Sequence, residues 1–374
     1  MKILFLSRSL ESGGAERQLA VLASGLSRIG WKVVIASFYY EGDVGSRLEH
    51  DGVTIRYLHK KGRWDVVGFA IRLIKVIREE SPDIIHGYLP VPNIIAVLLR
   101  PLLPPHKLVW GIRASNMEMD QYDWLSRWSY RLERNLSGFA DMIIANSQAG
   151  MEVMREKGFA IDKALMIPNG IDTQRFHADS AGRVRVREQF GIAAGDKLIG
   201  LVARLDPMKD HLTFMRAAAY LIKHRKNVRF ICVGDGSVSY RQKLLAVSMD
   251  LGIADRLVWT AAAEDMAAMY NAFDLATLSS AYGEGFPNVI GEAMACGVPC
   301  VVTNVGDSAY IVGDTGTVVP TRNPEALAHA WDTMLDRIEK EGCELGVRAR
   351  ERLCRLFGDD ALIKQSQQAL QRLM

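Results

Sequence analysis

Ala281-Tyr282-Gly283-Glu284-Gly285-Phe286-Pro287-Asn288-Val289-Ile290-Gly291-Glu292-Ala293-Met294-Ala295-Cys296-Gly297 sets two acids, Glu284 and Glu292, on either side of a Gly-Phe-Pro-Asn turn. Proline suits the first position of a helix and glycine its end, so the stretch predicts a helix from Pro287 to about Cys296, stopped by Gly297. The amides of the Phe286 to Val289 region then lack intrahelical partners and lie at the positive end of the helix dipole, which favours a phosphate. Glu292 falls about one and a half turns further in.

Apolar runs flank this helix, Leu275 to Leu278 before it and Cys300 to Thr303 after it, and the alternation extends both ways. Strands are expected at Lys2 to Ser7, Lys32 to Phe38, Thr54 to Leu58, Ile84 to His86, Lys107 to Gly111 and Met142 to Ala145, a six-stranded first sheet. A second series has Leu198 to Ala203, Arg229 to Val233, Leu257 to Thr260 and the two strands just named. Helical segments fall between them, near Ala15 to Ile29, Val66 to Glu80, Asn93 to Leu99, Tyr122 to Leu136 and Gln148 to Lys157. Short Ile/Leu/Val runs separated by helical periods point to parallel sheets covered on both faces. The pattern breaks at Pro168-Asn169-Gly170-Ile171-Asp172 and turns polar from Phe176 to Arg187. The expected division is residues 1–178, residues 179–355 and a last helix at 356–374 that can cross back to the first domain.

A chain of 374 residues fits two domains. Its 49% hydrophobic and 24% charged residues are ordinary for a globular protein, and a net charge of +3 gives no case for nucleic acid. The charge is uneven: Arg56, Lys60, Lys61, Arg63, Arg72, Lys75 and Arg78 stand against Asp65, whereas Asp255 to Pro320 is acidic with Arg256 as its one base. Five cysteines without a paired Cys-x-x-Cys spacing read as thiols of a reducing compartment. No signal peptide is visible, and no apolar run nears the roughly 20 residues of a membrane helix. The expected location is cytoplasmic.

Three further stretches carry chemistry. Gly13-Gly14-Ala15-Glu16 opens a helix after the first strand; the glycines allow close approach to a ligand or make a tight turn. Arg204 and Lys209 follow the first strand of the second domain, at the carboxyl end where open parallel sheets bind ligands; one offers a planar fork to phosphate, the other a point charge. Val233-Gly234-Asp235-Gly236 is another strand-to-helix turn, Val258 ends a strand, and Val305-Gly306-Asp307 can face the same crevice.

Taken in order, Gly13-Gly14-Ala15-Glu16, Asn146-Ser147, Pro168-Asn169-Gly170-Ile171-Asp172, Arg204 with Lys209, Gly234-Asp235-Gly236 and Glu284-x7-Glu292 with Gly-Phe-Pro-Asn resemble the retaining glycosyltransferases of family 4. The resemblance implies the α/β GT-B fold, two Rossmann-like domains with parallel sheets facing an interdomain cleft, the first for the acceptor and the second for a nucleotide-sugar donor. It assigns the donor diphosphate to Arg204 and Lys209, and backbone contacts to Gly285, Phe286, Pro287 and Asn288. It further gives the ribose to Glu292, the base to Val258, the donor sugar to Glu284, and closure onto the donor to Gly13 and Gly14. Many relatives carry a His-Asp pair where this chain reads Trp110-Gly111-Ile112-Arg113-Ala114-Ser115-Asn116. Arg113 stands in that place, as in some bacterial surface-polysaccharide transferases; it stays protonated, so it can stabilise a phosphate or orient a hydroxyl and cannot act as a base.

The expected activity is retaining transfer from a nucleotide-diphosphate sugar, of the UDP type, to a glycan or polyprenyl-diphosphate-linked glycan, with no metal and no cofactor. His86 and Ser115 are acceptor-side candidates, with a packed or backbone-bonded histidine as the equal alternative for His86. Arg56 to Arg78, and the Trp124, Arg127, Trp128, Arg131 and Arg134 face, can either rest on the inner, anionic face of the membrane or pack into the domain. A sugar-nucleotide epimerase and a silent sugar-nucleotide binder are the alternatives. The first needs acid and base groups around the hexose, and the second would lack Arg204, Lys209 or Glu292.

Overall fold

The computed structural model describes residues 1–11, 13–40, 45–62, 64–113 and 124–374; of residues 46, 47 and 124–126 it describes the backbone only. The chain forms two compact units, Met1–Gly170 with Asp359–Met374, and Ile171–Gly358.

In the first unit the strands are β1 (Lys2–Ser7), β2 (Lys32–Ser37), β3 (Thr54–Tyr57), β4 (Ile84–Tyr88), β5 (Lys107–Ile112), β6 (Met142–Ala145) and β7 (Ala164–Met166). Among the described residues they make one parallel sheet of order β3-β2-β1-β4-β5-β6-β7. Side chains of both parities are buried: Ile3 and Phe5 join the core under the Gly14–Arg28 helix, while Leu4 and Leu6 join the opposite one with Phe69 and Leu73. This two-sided burial is why the strands read as continuous apolar runs. The direction of succession reverses between β1 and β4, the switch point where such sheets bind ligands.

The second unit repeats the plan with β8 (Lys197–Val202), β9 (Val228–Val233), β10 (Leu257–Thr260), β11 (Leu275–Leu278), β12 (Cys300–Thr303) and β13 (Thr317–Val319). Their order is β10-β9-β8-β11-β12-β13, all parallel, and the reversal falls between β8 and β11.

Two edge strands of three residues each, β7 and β13, extend the sheets beyond the expected sets, and β4 runs on to Tyr88. The first unit ends at Gly170 rather than near residue 178. Gln18 grips Gly170 on both sides, Nε2 donating to its carbonyl at 2.7 Å and Oε1 accepting from its amide at 2.9 Å. One residue on, the Ile171 amide donates to the Phe357 carbonyl at 2.8 Å, and Phe176 stacks edge-on against Tyr270 in the second core. The last helix, Asp359–Arg372, belongs to the first unit, with Leu362, Ala369 and Leu370 in the core under Gly14–Arg28.

Candidate active site

At the switch point of the second unit, β8 delivers Arg204 and Lys209 while β11 delivers the Ser279 to Glu284 loop. Asp206 accepts from the Met208 amide at 2.9 Å and starts the short Pro207–Lys209 turn; Asp210, at φ +47°, caps the His211–Leu221 helix through the Thr213 amide at 3.1 Å and hydroxyl at 2.6 Å. The two loops are tied together. The Ala281 amide donates to the Met208 carbonyl at 2.8 Å, Ser279 Oγ to the Lys209 carbonyl at 2.8 Å, and Thr303 Oγ1, from β12, to the Ser280 carbonyl at 2.7 Å.

This bracing aims Lys209 Nζ at Glu284 Oε1, 2.5 Å away, and Ser280 Oγ donates to the same oxygen at 2.6 Å. Glu284 is 7% exposed, and an acid so buried requires such partners. Arg204 differs: its side chain is 74% exposed, with Asp206 3.9 Å away, so the guanidinium can swing. His211 beside Lys209 is buried against Trp259, and burial first, then the Lys209 charge, lowers its pKa to about 4, keeping the imidazole neutral.

The helix after Glu284 spans Asn288–Ala295, with Pro287 at the N-cap rather than inside the first turn, Cys296 at the C-cap and Gly297 at φ +77°. No side chain caps its N-terminus. Gly291 lets it close on its neighbours, since a Cβ there would lie 2.8 Å from Ile171 and 3.2 Å from Leu353. Glu292, 7% exposed, accepts from the Tyr270 hydroxyl at 2.7 Å. The Phe286 ring packs on Phe357 in the core, which leaves its backbone for the site, and Val258 packs on the same core.

The structure gives reasons for glycines that the sequence singled out and adds two supports that it did not. Gly306, at φ +57°, lies where any Cβ would overlap the Glu284 and Gly285 carbonyls, and the Asp307 amide donates to Gly285 at 2.8 Å. Gly283, at φ +78°, makes the same allowance for Met208. Gly234 and Gly236 have a structural reason too: a Cβ on either would overlap the Ala203 or Leu205 carbonyl, beside an Asp235 carbonyl that accepts from the Leu205 amide at 2.8 Å. Tyr270 carries no sequence signal, because its partner Glu292 lies on another element, and Ser280 none, because residue type does not show the turn that brings Glu284 back to it.

The first unit has its own polar row at the carboxyl ends of β4 to β7. Arg113 places its guanidinium 4.4 Å from the Tyr88 ring centre and donates to Asn169 Oδ1 at 3.0 Å; Asn146 Nδ2 donates to the same oxygen at 3.3 Å. Burial lowers the Arg113 pKa. His86 is fully buried between Phe5 and Tyr88, held neutral with a pKa of about 3 by burial and then by Arg113, and neither ring nitrogen has a partner among the described residues. On the other sheet face Asn93 Nδ2 bridges the Gly111 carbonyl at 3.2 Å and Glu133 Oε1 at 2.8 Å; burial lifts the Glu133 pKa to about 7. Gly13 precedes an N-terminus with no side-chain cap, and Gly14 is its first helical residue. Ser115 lies outside the described residues, as does the Trp124 side chain; Trp128 is 56% exposed.

Residues 12–175 match the Glycosyltransferase Family 4 profile and residues 196–337 the Glycosyl transferases group 1 profile. The putative glycosyltransferase EpsF of Bacillus subtilis is 22% identical over 342 residues, 82% of this chain and 84% of that one. The D-inositol 3-phosphate glycosyltransferase of Corynebacterium urealyticum is 30% identical over 274 residues, 68% of this chain and 63% of its own length. Anabaena HepE, solved with UDP and with UDP-glucose, superposes with a TM-score of 0.87 at 23% identity over 100% of both chains, which shows the GT-B fold. With one profile on the sheet that carries Arg113 and the other on the sheet that carries Lys209 and Glu284, the chain belongs to glycosyltransferase family 4 and is a glycosyltransferase.

Proposed function

We propose that the protein transfers a sugar from a UDP-sugar, with retention, to a glycan or polyprenyl-diphosphate-linked glycan in cell-surface polysaccharide synthesis. The observation that carries the donor half is the buried Lys209–Glu284 pair, braced between two loops at a switch point and followed by an uncapped helix N-terminus with Glu292 inside it. The HepE complexes support uridine as the base. Lys209, the mobile Arg204 and the amides from Gly285 to Asn288 take the charge that grows on the leaving diphosphate, without a metal ion. Glu292 holds the ribose hydroxyls, and Val258 lies by the base. Glu284 bonds a hydroxyl of the donor sugar; its tie to a lysine favours that role over a nucleophile's. The acceptor oxygen attacks the anomeric carbon on the face the diphosphate leaves, and a departing phosphate oxygen takes its proton. Arg113, His86 and Ser115 serve the acceptor, and Gly13 and Gly14 are assigned to closure on the donor.

A nucleotide-sugar screen by thermal shift tests this, since a ligand that binds the folded state raises its melting temperature. UDP-sugars should stabilise the protein. Arg204→Ala, at an exposed side chain, should leave the fold intact and lower kcat by about 100-fold. An unchanged rate at saturating donor would discard the leaving-group assignment.

Work at the inner face of the cytoplasmic membrane fits one surface of the first unit. Trp64, Val67 and Ile71 are 89%, 73% and 62% exposed, and Val67 and Ile71 share a stripe of the Val67–Glu80 helix with exposed Lys75 and Arg78. Apolar groups rimmed by lysine and arginine suit an anionic bilayer surface. The full chain should sediment with phosphatidylglycerol vesicles at low salt, and Trp64→Ala with Ile71→Ser should release most of it; equal sedimentation of the variant would remove this surface from the reading.

A further inference from the structure

The Gly14–Arg28 helix opens at the switch point of the first sheet, where a bare N-terminus would ordinarily suggest a phosphate. Here the protein fills that position with its own carboxylate. The Glu16 side chain folds back over the first turn so closely that a Cβ on Gly13 would overlap Oε2. A glycine at 13 is therefore the condition for Glu16 to lie there. The half-buried carboxylate has no hydrogen bond or ion pair among the described residues. It already answers the helix dipole, and its charge repels a second anion.

The groups near it on the same sheet face are also unsatisfied. Tyr88 is 1% exposed and shares a core with Leu10, Leu19 and Leu22, so it lies on the face this helix covers, yet its hydroxyl has no partner among the described residues. Burial raises its pKa, the Arg113 charge opposes that rise and the Glu16 charge adds to it. His86, two residues earlier on the same face, is neutral with both nitrogens unpartnered among the described residues. Asn146 Oδ1 is likewise buried without a partner. A carboxylate that only accepts, a hydroxyl that does both and an imidazole with one of each form the complement of a neutral ligand rich in hydroxyls; buried groups of this kind cost stability until something bonds them.

We propose that Glu16 and Tyr88 bind hydroxyls of the acceptor's terminal sugar ring, so that this helix N-terminus is a sugar subsite and not a phosphate site. The proposal rests on the transferase reading above and names the acceptor group that the first unit holds.

The test uses the full chain saturated with UDP and, as probes, methyl glycosides of glucose, galactose, mannose and N-acetylglucosamine, observed by saturation-transfer NMR with inorganic pyrophosphate as competitor. At least one glycoside should bind, pyrophosphate should leave its signal unchanged, and Glu16→Gln and Tyr88→Phe should each weaken it about tenfold or more. The thermal shift caused by UDP should persist in both variants, which shows that they fold. No glycoside signal from a wild type that binds UDP, displacement by pyrophosphate, or variants that bind like wild type would each overturn the proposal. A wild type that does not bind UDP would instead count against the donor reading.

Discussion

Lys209→Ala is expected to lower kcat by two to three orders of magnitude, about the effect of removing one preorganised group that faces developing charge. The same change takes the lysine partner from Glu284, which is 7% exposed. Removing one partner of a buried pair costs about 3 kcal/mol, which in a unit of this size lowers the melting temperature by roughly 6 to 12 °C. The two effects are separable. Adding Glu284→Gln removes the carboxylate charge, so the double variant should regain most of the lost melting temperature while its rate stays low. A double variant that recovers its rate along with its stability would show that Lys209 acts through folding alone. A single variant within tenfold of wild-type kcat would discard its catalytic role.

Gly306→Ala should be among the most damaging single-methyl additions in the second unit. The backbone there is at φ +57°, and the new carbon would overlap the carbonyls of Glu284 and Gly285. Left-handed strain alone costs of order 1 kcal/mol, and displacing two carbonyls brings the total to about 2 to 4 kcal/mol. Those carbonyls belong to the segment that holds the acid opposite Lys209. A shift of about 1 Å there is enough for a loss near 100-fold in kcat. Gly195→Ala is the control, because nothing lies within 4 Å of its Cβ position; it should change stability by less than about 0.5 kcal/mol. Similar behaviour of the two variants in melting and turnover would refute the packing argument.

Most strands were legible because they are buried on both faces and read as apolar runs, unlike β3 with its exposed Thr54 and Arg56. β7 and β13 were not, since three residues at a sheet edge leave too short a run to stand out from a loop. The unit boundary was misplaced for a related reason: Asn169 serves the first unit and Ile171 the second, and a single turn-like stretch conceals the change of allegiance. At the site, the charged and glycine-flanked residues announced themselves through type and spacing. Their supports did not. Tyr270 bonds Glu292 from a helix that otherwise reads as core, Ser280 acts through the turn of its own loop, and the clash that requires a glycine at 306 arises only with neighbours brought in by folding.

The return of Asp359–Met374 to the first unit bears on how the chain is made. The second unit is one uninterrupted segment, so every residue of its core has been made once the chain reaches Gly358. The first unit, although it is made earlier, waits for the final stretch to supply Leu362, Ala369 and Leu370, and Ile363 to lie against Gly25. The usual order of maturation, amino-terminal part first, is thereby reversed. Until residues 359–374 are made, the apolar face under Gly14–Arg28 lacks part of its cover, and the growing chain is open to misassociation in its oldest part.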